Sequence, residues 1–108
     1  MSKIIIDIGK DFATEPFGRY ETDGKYNGEK FRLTHLIPAF KSTPNGIISV
    51  KLDNVADGWE YGSSFLQESF GELARIIGST EISRLRIITS NEDYVIEIDD
   101  YIQAALSN

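Results

Sequence analysis

Two adjacent serines, Ser63 and Ser64, stand where a glycine-punctuated loop, Gly58-Trp-Glu-Tyr-Gly62, runs into an amphipathic stretch from Phe65 to Arg75. The first backbone N–H groups of a helix lack intrahelical partners and lie at the positive end of the macrodipole, so serines in this position sit in a place suited to an anion. Ser64 followed by Gln67 matches the capping box, which gives Ser64 a structural reading as the helix N-cap. Ser63 then lies just outside the helix with its hydroxyl in the loop, and no structural duty is evident for it. Trp59 and Tyr61 read either as an aromatic edge for a protein partner or as rings folded over the end of a sheet. With Asp57, Glu60, Gly62 and Phe65 they make up the expected partner-binding surface.

Other chemistry is sparse. The one histidine, His35, lies among Leu33, Leu36 and Ile37 without a second histidine or any cysteine, which favours a packing role over metal ligation. Zero cysteines remove disulfides, thiolate chemistry and cysteine-containing metal sites. Gly62-Ser-Ser-Phe-Leu is not the Gly-x-Ser-x-Gly elbow of a serine hydrolase, and the histidine falls on a helical stretch. No catalytic residue, metal or cofactor is expected, and the chain reads as a non-enzyme.

At 108 residues the chain is of single-domain size, long enough to bury one real core, and one domain over 1–108 is expected. Its 41% hydrophobic and 26% charged residues are those of a soluble globular protein. The longest purely apolar run, Ile4 to Ile6, cannot span a bilayer, and no extended apolar segment marks a signal peptide, so no membrane association and a cytoplasmic location are expected. A net charge of −6 without a Lys/Arg cluster argues against nucleic acid and toward protein partners with basic surfaces.

The elements that position the serines follow from periodicity. Lys3 to Ile8 alternates, with Ile4, Ile6 and Ile8 on one side, and predicts a first strand. A short strand near Phe17 to Thr22 is placed between loops carrying the turn signals Asp23-Gly24 and Asn27-Gly28. Leu33, Leu36, Ile37 and Phe40 recur at helical spacing from Glu29 onward, and Pro38 should kink or end that helix. A strand over Ile47 to Val55 puts Ile48, Val50 and Leu52 on one face and leaves the other wet. Leu66, Phe70, Leu73 and Ile77 form the buried stripe of the central helix, with Gly78 as its stop. Leu85 to Ile88 is a further strand. Asn91 to Leu106 reads as a last helix, with Glu92 and Asp93 in its first turn and a short strand at Tyr94 to Ile98 as the alternative. The sum is an α/β fold, a mixed four-stranded sheet with about three helices packed mainly on one face.

The unit of strand, loop, serine pair and helix resembles the STAS domain, the sulfate-transporter and anti-sigma-factor-antagonist fold. Gly28-Glu-Lys-Phe-Arg, Leu36-Ile-Pro-Ala-Phe40, Val50 to Val55 and Gly62-Ser-Ser-Phe-Leu-Gln-Glu-Ser-Phe-Gly-Glu-Leu73 are similar to the STAS-like domain family of unknown function. In anti-sigma-factor antagonists the phosphorylated serine is the first of an Asp-Ser-Ser-Gly run. The resemblance therefore implies Ser63 as phosphoacceptor, with Gly62 and Phe65 standing where that run has aspartate and glycine. It also implies a regulatory protein-interaction module docking a kinase-like ATPase or an anti-sigma-factor-like protein. A constitutive scaffold or homo-oligomer subunit, joined through Trp59, Tyr61 and the exposed sheet face, is the alternative.

Overall fold

The computed structural model describes residues 3–107, so residues 1, 2 and 108 of the expected domain lie outside the described residues. Three strands, β1 (Lys3–Asp7), β2 (Ile47–Lys51) and β3 (Leu85–Ile88), pair in the order β1-β2-β3, and both pairings are parallel. Ile4 stands opposite Ile48 and Ile48 opposite Leu85; Ile6, Val50 and Ile87 form the next row. A π-helical turn, Ile8–Phe12, follows β1. Three longer helices complete the fold: α1 (28–42), α2 (63–82) and α3 (Glu92–Leu106).

Parallel neighbours need a crossover, and α1 and α2 supply the two that this strand order requires. The alternation expected from the sequence sets the faces. Ile6, Ile8, Ile48, Val50 and Leu52 are buried under the helices, whereas Ile5 and Ile88 on the opposite face are 49% and 44% exposed. Phe31 from α1, Phe65 and Phe70 from α2 and Ile98 from α3 meet that apolar face and lose almost all contact with water. Each of the three phenylalanines contributes roughly 2 to 3 kcal/mol through burial.

The expected four-stranded mixed sheet is corrected to three parallel strands among the described residues. The strand placed near Phe17 to Thr22 is a turn instead. The Asp23 carboxylate accepts from the backbone N–H groups of Arg19 (2.9 Å) and Tyr20 (3.1 Å), taking up donors that a strand would offer a neighbour. Nor does Pro38 end α1. The helix widens into a π turn at Arg32–Leu36, where the Ile37 N–H bonds the Arg32 carbonyl, so the missing proline donor falls at the start of a fresh α segment, Ile37–Ser42. Leu33, expected on the buried stripe, is 54% exposed, and Phe31 occupies the core in its stead.

α2 carries a matching π turn, Gln67–Gly71, that packs against the one in α1. Between them lies a buried ion pair, with Arg32 Nη1 2.9 Å from Glu68 Oε2 and also donating to the Glu68 carbonyl. Arg19 reaches the same carboxylate at 3.2 Å. Gly28 permits the close approach, since a Cβ there would come within 2.7 Å of the Phe65 carbonyl oxygen. At the far end Gly78 adopts φ 87° and interrupts α2 as the sequence predicts, after which a last turn leads to β3.

Candidate functional site

The loop from Leu52 to Gly62 leaves the C-terminal end of β2, the end of a parallel sheet at which open α/β folds commonly place their sites. It is fastened from the inside. The Tyr61 hydroxyl donates to the Leu52 carbonyl at 2.7 Å, the Tyr61 N–H donates to the Tyr94 hydroxyl at 3.0 Å, and Trp59 Nε1 donates to the Pro16 carbonyl at 3.1 Å. Asp53 ties the end of β2 to the end of β3 by accepting from the Thr89 hydroxyl (2.6 Å) and the Ser90 N–H (2.8 Å). The Thr89 hydroxyl is the main cause that holds the Asp53 carboxyl below its usual range.

These fastenings divide the expected contact residues. Asp57, Glu60, Gly62 and Ser63 are exposed, and Trp59 is half-buried with its ring nitrogen satisfied. Tyr61 is buried and Phe65 fully so, which corrects their assignment to a partner surface. Both rings belong to the core, where they pack on each other with centroids 5.8 Å apart. Burial pushes the Tyr61 phenol well above its ordinary value, with Tyr94 adding to the effect. Tyr61 therefore folds over the sheet end, the second of the readings the sequence left open, while Trp59 is tied to Pro16 with part of its ring exposed.

The helix start also lies two residues earlier than expected. Gly62 is the N-cap, with extended backbone (φ −80°, ψ 153°), and its carbonyl accepts the first helical bond from the Leu66 N–H at 3.3 Å. Ser63 is thus the first helical residue and Ser64 the second, and no side chain caps the helix. Ser64 as N-cap is corrected accordingly. Glycine provides the extended conformation but no acceptor, so the first-turn amides of α2 receive no side-chain oxygen.

Ser63 faces Tyr101 of α3. Burial pushes the Tyr101 phenol up to about 12, with the hydrogen bond to Glu97 adding to the effect and the neighbouring Ser63 side chain opposing it. Ser63 also borders a cavity of about 230 Å³ together with Phe17, Gly18, Asp23, Gly62, Ser64 and Phe65. Asp23 brings an ionised carboxylate to this cavity, held below the usual range by the N–H groups of Tyr20 and Arg19. Sequence reading missed Asp23 and Tyr101 as neighbours of Ser63, and Glu97 as the partner of Tyr101. Asp23 carried only a turn signal, and the other two lie more than thirty residues downstream. Glu68 is buried against Arg32.

His35 stacks on Phe31 with centroids 5.7 Å apart and lies 3.2 Å from the Asp11 carbonyl oxygen, in a packing role. Among the described residues no group of three or more His, Asp or Glu side chains is arranged to hold a metal ion, and no helix is long and apolar enough to cross a membrane.

A family profile described as a STAS-like domain of unknown function matches residues 27–95, which include α1, β2, the serine loop, α2 and β3. The chain belongs to that family. No curated protein and no solved structure matches it. For this STAS-like domain the matched span holds both serines, and Tyr101 and the second half of α3 lie beyond it.

Proposed function

We propose that this STAS-like domain is a regulatory module that docks a protein partner through Asp57, Glu60 and the start of α2, and that Ser63 is its switch. One observation carries the reading: Ser63 is exposed at the first position of α2, behind a glycine N-cap that leaves the first-turn amides without a side-chain acceptor. A phosphoryl group there adds about −1.5 to −2 of charge, which the helix N-terminus favours. The same charge meets Asp23 across the cavity and Glu97 beyond Tyr101, and these oppose it. Modification therefore shifts the balance of charge at the loop, repelling an acidic partner surface or recruiting arginines. Any phosphate comes from a partner with its own nucleotide site, a kinase-like ATPase being the class the family resemblance suggests. The domain itself turns nothing over.

Intact-mass and peptide mapping of the chain from its native host, together with its co-purifying partner, tests the reading. A phosphoryl adduct on Ser63, and a partner affinity that changes in Ser63→Asp but not in Ser63→Ala, is the expected result. An unmodified chain whose partner binds all three forms alike refutes the switch and leaves the scaffold reading, which the exposed isoleucines of the sheet favour.

A further inference from the structure

Arg19 belongs to the loop that lies against the start of α2. Gly18, the residue before it, lines the Ser63 cavity together with Ser64 and Asp23. The Arg19 guanidinium rests on the next turn of the helix, where Nη2 donates to Gln67 Oε1 at 2.8 Å and Nη1 to Glu68 Oε1 at 3.2 Å. Gln67 stands four residues beyond Ser63, and its N–H bonds the Ser63 carbonyl. Residues at that spacing are neighbours on a helix surface, with Cβ atoms about 5 to 6 Å apart. The guanidinium is therefore held one helical turn from Ser63. Its contacts are ones it can give up: the Arg19 side chain is 31% exposed, Gln67 is open to water, and Glu68 keeps Arg32 at 2.9 Å if Arg19 departs.

The other charges around Ser63 are negative. Asp23 borders the cavity, Glu97 lies behind Tyr101 on α3, and Glu60 is exposed three residues upstream. No lysine or arginine is among the described residues that line the cavity. A phosphoryl group on Ser63 adds about −1.5 to −2 of charge among these carboxylates, so it needs a cation close by. Arg19 gains by the exchange. It leaves a neutral amide and a carboxylate that Arg32 also serves, and it meets an acceptor whose oxygens match its planar fork in charge-assisted pairs.

We propose that Arg19 is the internal receiver of a phosphoryl group on Ser63, exchanging Gln67 and Glu68 for two phosphate oxygens. The inference rests on the reading of Ser63 as the switch and adds which arginine answers it. That arginine is the chain's own, so the modification is read inside the domain before a partner meets it. Arg19 shares its loop with Phe17 and Tyr20, which are 55% and 45% exposed, so re-anchoring it changes the surface beside the serine that a partner meets.

Phosphoserine installed genetically at position 63 of the whole chain tests this without a kinase or a partner. Phosphorus NMR follows the second ionisation of the phosphate, which lies at about 6 for an unperturbed phosphoserine. The neighbouring carboxylates act alike in every variant, so the difference between parent and variant isolates Arg19. Arg19→Gln should raise that ionisation by on the order of one pH unit. Arg19→Lys, which keeps the charge and loses the fork, should raise it by less. Thermal melts give a second reading: phosphorylation should raise the Tm of the parent more than that of Arg19→Gln, each set against its own unphosphorylated chain so that the lost Glu68 contact cancels. An ionisation unchanged in Arg19→Gln, or a Tm shift on phosphorylation that is the same in both chains, overturns the proposal. Absence of phosphate from the chain in its native host refutes the switch alone, since this experiment supplies the phosphoryl group itself.

Discussion

Replacing Gly62 by serine should stabilise the domain, because the residue is an N-cap that caps nothing. Its φ of −80° and ψ of 153° are accessible to any residue, and a Cβ at this position meets nothing within 4 Å. Two gains combine. A serine cap improves on glycine by a few tenths of a kcal/mol. Restricting the unfolded chain at a compatible glycine adds about 0.4 to 1 kcal/mol. The sum is about 1 kcal/mol, a rise in Tm of roughly 4 to 8 °C for a domain of this size. Gly62→Ala isolates the capping contribution. It makes the same entropic gain but replaces a tolerated N-cap with a poor one, so it should melt near the parent, with Gly62→Ser about 1 kcal/mol above it. Ser64→Ala, at the second helical position, should change stability by under about 0.5 kcal/mol. Thermal melts of the three variants followed by circular dichroism decide the matter. The reasoning is refuted if Gly62→Ser melts at or below Gly62→Ala, or if Ser64→Ala is the variant that loses about 1 kcal/mol, for the helix then begins at Ser64.

Glu68→Ala should be the most damaging single change at the α1–α2 contact. It leaves the Arg32 guanidinium buried with its charge uncompensated, at a cost of about 3 to 5 kcal/mol. Denaturant titration should also find the double replacement Arg32→Met with Glu68→Leu much milder than Glu68→Ala alone. At alkaline pH the domain should weaken through its tyrosines. Tyr101 titrates near 12 and Tyr61 is also raised, against an ordinary value of 10, so the unfolded chain ionises first. That stability is whole below about pH 10 and declines as pH rises toward 12 and beyond. Tm measured against pH, alongside tyrosinate absorbance, should show the two changing together.

Much of the scaffold was legible because its signals are local. Alternation at Ile48, Val50 and Leu52 gave β2 and its buried side, helical spacing gave α2 and α3, and Gly78 marked the interruption of α2. What local rules misjudged was decided by residues distant in sequence. Ser63 and Ser64 are both good capping types, and Gln67 completes a box with Ser64, so the rule chose Ser64. In the fold Ser63 is drawn into the helix, where it faces Tyr101 from another element. Glu68 has no pairing cation near it in sequence, and Arg32 arrives only when two π turns meet. Pro38 would have ended an ordinary helix, but the π turn ahead of it alters the hydrogen-bond register. The chain has no Lys/Arg cluster, and in the fold Lys51 shares a cavity with Asp7 and Asp53 while Arg86 shares one with Asp99.

Ser63 is a neighbour of Tyr101 of α3, whose Cβ would lie only 3.2 Å from a Cβ at Gly71, the place where α2 and α3 close on each other. A phosphoryl group at Ser63, as proposed, brings oxygens that only accept toward a Tyr101 hydroxyl that already donates to Glu97. The Tyr101 phenol has one proton to offer, so an acceptor added at Ser63 competes with Glu97 for it, and the proposed modification bears on how α2 packs against α3.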